Sequence, residues 1–374
     1  MQSEDSGSLK DQERCHAAQT ADHPHVVSGS SQLGLGLRAS FIILALAVLV
    51  TFGDTPWLKT LALVFVSIVL EAFPFMLIGS LVSGVVEVFV SKDRLAAILP
   101  RKAIFLTAIS AGLGVVFPVC ECAIVPVVRR FLKKGVPLSA AVAYLLAGPI
   151  FNPVVGASTA VAYSANPGSQ TFYIVAIRLL SGFFIAIGIG LLMGRIFRGR
   201  SALIEGTSPL TEANHDHAHH ASATIGQPGL GMRVLNALNH GVDDFLDVTQ
   251  YLVVGAFIAG LLQIMISRQA FLELAGVPLV TIPLMMLLAI VLNLCSEADA
   301  FIAASFRGTL PVSAQMAFMV LGPMLDIKLI IMYLSVFRKR TIVILTSLVI
   351  TAVLVLMMLL QFLLGHWYTV TPGS

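Results

Sequence analysis

Charge is scarce in this chain. Only 11% of its 374 residues are Asp, Glu, Lys or Arg, where a soluble domain carries about a quarter, and the shortage excludes a protein wetted on every face. Cysteine is scarce too. Of four, Cys15 lies in a polar stretch and Cys120, Cys122 and Cys295 in apolar ones, which excludes a secreted disulfide scaffold and points to reduced thiols. No Walker A loop, GxSxG elbow or HExxH helix occurs, so ATP hydrolysis and the usual hydrolase chemistries lack their residues. A net charge of +3 gives no sign of a nucleic-acid partner, and no residue set calls for a cofactor. No apolar segment opens the chain in the manner of a cleavable signal, so the first apolar stretch is expected to remain as an anchor.

Apolar runs are what the chain has in quantity. With 57% hydrophobic residues it reads as an all-α polytopic membrane protein whose partner is the lipid bilayer, divided into spans of about 20 residues. Residues 1–38 form a polar tail and 39–56 an extra transmembrane helix. A first membrane repeat covers 57–196, a His-rich cytoplasmic loop 197–240, a second repeat 241–366, and a short tail 367–374.

The two repeats match residue by residue. "PLSAAVAYLLAGPIFN" from Pro137 and "PVSAQMAFMVLGPMLD" from Pro311 agree at Pro, Ser, Ala, Ala, Gly and Pro with a constant offset of 174, while Glu71 meets Asp247 and Glu121 meets Glu297 at 176. Twin halves of this kind mark transporter folds with substrate at their interface. Positive residues fall in "SKDRLAAILPRK" and "RRFLKK" of the first half but in "FRKRT" of the second, and cytoplasmic loops collect Lys and Arg. The segment 103–128 must then enter and leave on one side, as a re-entrant hairpin too short to cross twice. Each half becomes span, hairpin, broken span, span, and the second is inverted. A parallel arrangement of simple spans is the alternative.

Polar residues recur at equivalent depths. Tip one holds Cys120, Glu121 and Cys122; tip two holds Asn293, Cys295, Ser296, Glu297 and Asp299; the broken spans carry Asn152, Asp326 and Lys328. Each ionised group at mid-bilayer costs about 2.5 to 3.5 kcal/mol on insertion scales, so these residues pair or line a wet cavity. They are the expected substrate- or ion-binding set. Gly148, Pro149, Gly322 and Pro323 are the expected hinges, because Pro removes a backbone donor and the exposed half-helix ends can hold ions. The thiols suit soft species such as trivalent arsenic or monovalent copper, against the plainer reading of small buried hydrophobes. The carboxylates are also candidates to carry a proton or other coupling ion, while Asp326 and Lys328 read equally as an internal ion pair. His215, His217, His219 and His220 are a weak metal-binding tract, or simply a solvated linker.

The stretches "PVCECAIVPVVRRFLKKGVPLSAAVAYLLAGPIFNPVV", "CSEADAFIAASF" and "AFMVLGPMLDIKLI" resemble the signature regions of a predicted permease family of bacteria that includes the organoarsenical efflux permeases. The resemblance implies an inner-membrane permease with its core at Cys120–Pro126, Gly148–Pro153, Cys295–Phe301 and Gly322–Lys328. The expectation is therefore a secondary active exporter of a small solute or of a metalloid or metal species, N-terminus inside, with oligomerisation open. A membrane-embedded thiol redox enzyme using Cys120 and Cys122 is the alternative.

Overall fold

The computed structural model describes residues 55–89, 102–117, 119–165, 168–197, 202–203, 230–265 and 280–364. The polar tails, all but the end of the extra helix, and the His tract lie outside them. The chain divides into two compact units, 1–59 and 60–374, and the scaffold of interest belongs to the second.

The described residues form twelve helices, and among them no strand, only one isolated bridge. In order they are α1 Pro56–Phe89, α2 Ala103–Val116, α3 Glu121–Lys133, α4 Leu138–Ala147, α5 Pro153–Ala162, α6 Gly168–Ile196, α7 Leu230–Met265, α8 Thr281–Leu292, α9 Asp299–Ser305, α10 Val312–Met324, α11 Ile327–Tyr333 and α12 Lys339–Leu364. Each half thus runs from a long helix through four short ones to another long helix, as the sequence repeat requires. Among the described residues five stretches are long and apolar enough to cross a membrane, counting α10 and α11 as one. α7 starts earlier than the polar composition before 240 suggests, and Ala237 in its first turns packs on Gly84.

With 14 and 13 residues, α2 and α3 are each about 20 Å long, too short for a 30 Å hydrocarbon layer. Gly190 of α6 lies against Thr107 of α2 and against Ser139 and Ala143 of α4, so α2 and α4 start at one level. Gly114, near the end of α2, rests on Gly148, as does Ile124 at the start of α3. Phe131, further along α3, meets Tyr144 with ring centroids 5.9 Å apart. The chain therefore goes in along α2 and returns along α3. Gly135 and Gly308, with φ of +91° and +83°, turn the chain after α3 and α9. Each adopts the left-handed conformation that only glycine takes freely, and Pro137 and Pro311 then cap α4 and α10.

The equivalent helices α1 and α7 pack antiparallel. Phe65 meets Phe257, Phe73 meets Phe245 and Ser83 donates to Asp244 at 2.6 Å, so rising positions on one meet falling positions on the other. At one end of the scaffold the segment after α6 meets the start of α12: Leu203 bridges Phe337, and the Ala202 carbonyl accepts from Arg338 N–H at 3.1 Å and Thr341 Oγ1 at 2.9 Å. At the other end Arg307 donates to the Ala162 carbonyl at 2.6 Å and Tyr163 to Gln315 at 2.7 Å.

α4 and α10 are enclosed almost completely. Around them α1, α6 and α12 turn Leu63, Leu70, Phe172, Phe184, Val343 and Phe362 outward, the surface that hydrocarbon would cover.

Candidate functional site

Both central spans are interrupted. α4 ends at Ala147, turns occupy Gly148 to Phe151, and Asn152, extended at φ −137°, ψ 132°, restarts the helix by accepting from Val154 N–H at 2.8 Å. In the second half Gly322 and Pro323 remain helical and the opening falls just beyond them, at Leu325 and Asp326. Asp326 accepts from Leu329 N–H at 2.6 Å. Asn152 and Asp326 are thus equivalent N-caps, which satisfy amide groups that a broken helix leaves bare.

Asp326 has a second task. Lys328 Nζ lies 3.7 Å from its Oδ2 and 3.5 Å from Oε1 of Glu121, the first residue of α3. All three are at most 3% exposed. With its amide nitrogen turned toward Asp326, Asn293 stands 2.7 and 2.8 Å from the two carboxylate oxygens. Asn293 can do so because it closes α8 in the left-handed conformation, φ 54°, which Asn tolerates better than most residues. The Lys328 ammonium also faces the Cys122 thiol. One cation and two carboxylates, drawn from tip one of the first half and the break of the second, therefore share a buried centre, and Glu121 Oε2 has no hydrogen-bond partner.

Tip two lies beside this centre. Ser296 Oγ donates to Glu297 at 3.3 Å. Cys295 and Glu297 are half-buried, Ser296 and Asp299 fully buried. Cys295 lies near Glu71, an exposed carboxylate in mid-α1. Glu71 and Asp247, equivalent in sequence, have different surroundings: Asp247 pairs with Arg129 at 3.1 Å. Asn152 remains a local cap, and among the described residues no hydrogen bond or ion pair joins it to the Glu121 centre.

The thiols are free. Cys120 and Cys122 are buried neighbours on tip one, and among the described residues no three of His, Cys, Asp or Glu converge on a point that could hold a metal ion.

Residue recurrence did not single out Arg178. It sits in α6, fully buried, and its NH1 and NH2 donate to Thr159 Oγ1 at 2.8 Å and the Ser296 carbonyl at 2.7 Å, joining the first half to tip two. Its signal was there as a charge in the middle of an apolar helix, but the equivalent position is Ala352. A second missed group is Arg130, whose Nε reaches Asp244 at 2.6 Å and whose NH1 reaches Glu87 at 3.5 Å. It binds the base of the hairpin to α1 and α7.

The sequence profile of a family described as predicted permeases matches residues 57–362. The UPF0718 protein YcgR of Bacillus subtilis (strain 168) is 38% identical over 291 residues, covering 78% of this chain and 93% of its own. A protein of Streptococcus mutans serotype c named as a putative two-component membrane permease complex subunit is 37% identical over 277 residues, 74% of this chain and 87% of its own. No solved structure matches the chain.

Proposed function

The chain belongs to this predicted permease family, and on that premise we propose that it is a secondary active exporter of a small solute or of a metalloid or metal species. It acts in the cytoplasmic membrane, N-terminus inside, as two inverted halves around a mid-depth site. The observation that carries the reading is the Glu121, Lys328 and Asp326 centre, a buried charge cluster to which both halves contribute. A scaffold with no passage gains nothing from charges at such cost. The antiparallel course of α1 and α7 supports inversion. Exposed Glu71 beside half-buried Cys295 and Glu297 supports a wet approach, since a carboxylate in mid-span does not face lipid.

In this reading Glu121, Asp326, Lys328 and Asn293 hold charge, Cys120, Cys122, Cys295 and Ser296 contact solute, and the interruptions after Ala147 and Met324 let the halves rock. A proton or other ion drives the cycle. A partner subunit is part of the proposal because one relative carries the name of a complex subunit.

The test begins with cells that have or lack the protein, screened for altered sensitivity to toxic metalloids, metals and small solutes. The solute so found is then followed in liposomes holding purified protein under an imposed gradient. Glu121→Gln should abolish flux while leaving folded protein; normal flux in that variant removes the proposed centre.

A further inference from the structure

Three buried carboxylates, Glu121, Asp299 and Asp326, share the inner layer with two buried cations, Lys328 and Arg178. These fully buried groups are one positive charge short of neutral, half-buried Glu297 beside them adds a further negative charge, and a bound proton lessens the difference. Where it sits follows from what each carboxylate already has. Asp326 has Lys328, the Leu329 N–H and Asn293. Glu121 has Lys328. Asp299 is 1% exposed, its Oδ2 has no hydrogen-bond partner, and among the described residues no ion pair reaches it.

The position of that carboxyl is built. Oδ2 of Asp299 would lie 2.7 Å from a Cβ placed on Gly322, so only glycine at this point of α10 lets the carboxyl rest there. Nearby, Arg178 is fully buried and its Nε–H has no acceptor although both terminal nitrogens are bonded. Arg178 holds Thr159 of α5, which packs on α9, and the carbonyl of Ser296, three residues before Asp299. A bare donor and a bare acceptor thus stand near one another without being joined. In dry protein that is the arrangement of a carboxyl that carries its own proton, because an ionised one would gain a charge-assisted bond by moving to the guanidinium.

We propose that Asp299 is the proton-binding site of this permease: loaded, its carboxyl rests on Gly322; unloaded, its carboxylate pairs with the free Nε–H of Arg178. On unloading, the O–H bond of Asp299 breaks, the proton leaves to water and the negative charge is taken up by the guanidinium. Arg178 also holds the Ser296 carbonyl, so the exchange turns tip two, beside the solute centre. Charged groups around Asp299 include Arg178 from α6, Glu121 from α3, Asp326 and Lys328 from the second break, and half-buried Glu297 two residues before it on tip two. α5 and α10, which pack against α9, bring no charge of their own. The consequence for transport rests on the permease reading; the protonation does not.

Infrared spectroscopy of the full chain in lipid bilayers, with carbon-13-labelled aspartate, tests it without a known solute. Wild type should show an aspartic-acid carbonyl band at neutral pH that Asp299→Asn removes, and Asp299→Glu should replace it with a glutamic-acid band if the first variant folds poorly. Arg178→Gln should let the band persist to higher pH, since it takes away the cation that receives the carboxylate; a merely structural arginine would leave the band's pH range unchanged. An absent aspartic-acid band in wild type, or one that survives in Asp299→Asn, overturns the proposal. If the band behaves as stated but no solute flux is found in liposomes, the permease reading fails and the proton site stands.

Discussion

Lys328 is the residue on which the centre depends, since it alone offsets Glu121 and Asp326. Lys328→Met should cost about 3 to 5 kcal/mol, the usual penalty for leaving a buried charge without its partner, read as a lowered thermal unfolding midpoint in detergent. Adding Asp326→Asn should recover part of the loss, because one fewer carboxylate is then bare; a double variant no more stable than the single would mean that the two do not share the cation. Such residues were legible as charges in apolar runs that recur in both halves. The sequence could not say that Asn152 and Asp326, equivalent in position, differ in use. Both cap a helix restart, yet only Asp326 has a lysine two residues later to draw it into the centre. Arg178 escaped for the opposite reason, having no counterpart to draw attention to it.

Helix contacts are set by glycines as much as by large side chains. Gly84 of α1 is pressed against the Ala237 carbonyl of α7, whereas Gly112 of α2 has nothing within 4 Å of where a Cβ would stand. Gly84→Ala should therefore push α1 and α7 apart and cost about 1 to 3 kcal/mol. Gly112→Ala should be neutral or stabilise by up to about 1 kcal/mol, since alanine favours the helix and meets no neighbour. Thermal midpoints of the two variants in one detergent check this, and equal shifts would refute the packing argument. The elements themselves were largely readable: twin halves, short tip helices and interrupted central spans follow from offset repeats, segment length and Gly-Pro pairs. The place of the second interruption was not. Pro323 stays within the last turn of α10, and it is the Asp326 cap that fixes where the next helix starts.

At the scale of the whole molecule the two ends of the scaffold differ in charge. One gathers Arg129, Arg130, Lys134, Arg338 and Lys339 around the hairpin base and the start of α12; the other joins Ala162 and Tyr163 to Arg307 and Gln315. Cytoplasmic faces collect positive residues, so the proposed orientation puts the first end inside. Reporter fusions after Lys134 and Lys339 should then register as cytoplasmic, and fusions after Ser164 and Arg268 as external. Lys134 and Lys339 follow equivalent parts of neither half, so a parallel arrangement has no reason to bring them to the same face, whereas inversion requires it. Opposite signals from these two fusions would contradict both the inverted arrangement and the antiparallel packing of α1 on α7. Agreement would leave one geometry: a site that both halves complete from opposite directions, so that moving either half exposes it to one side at a time.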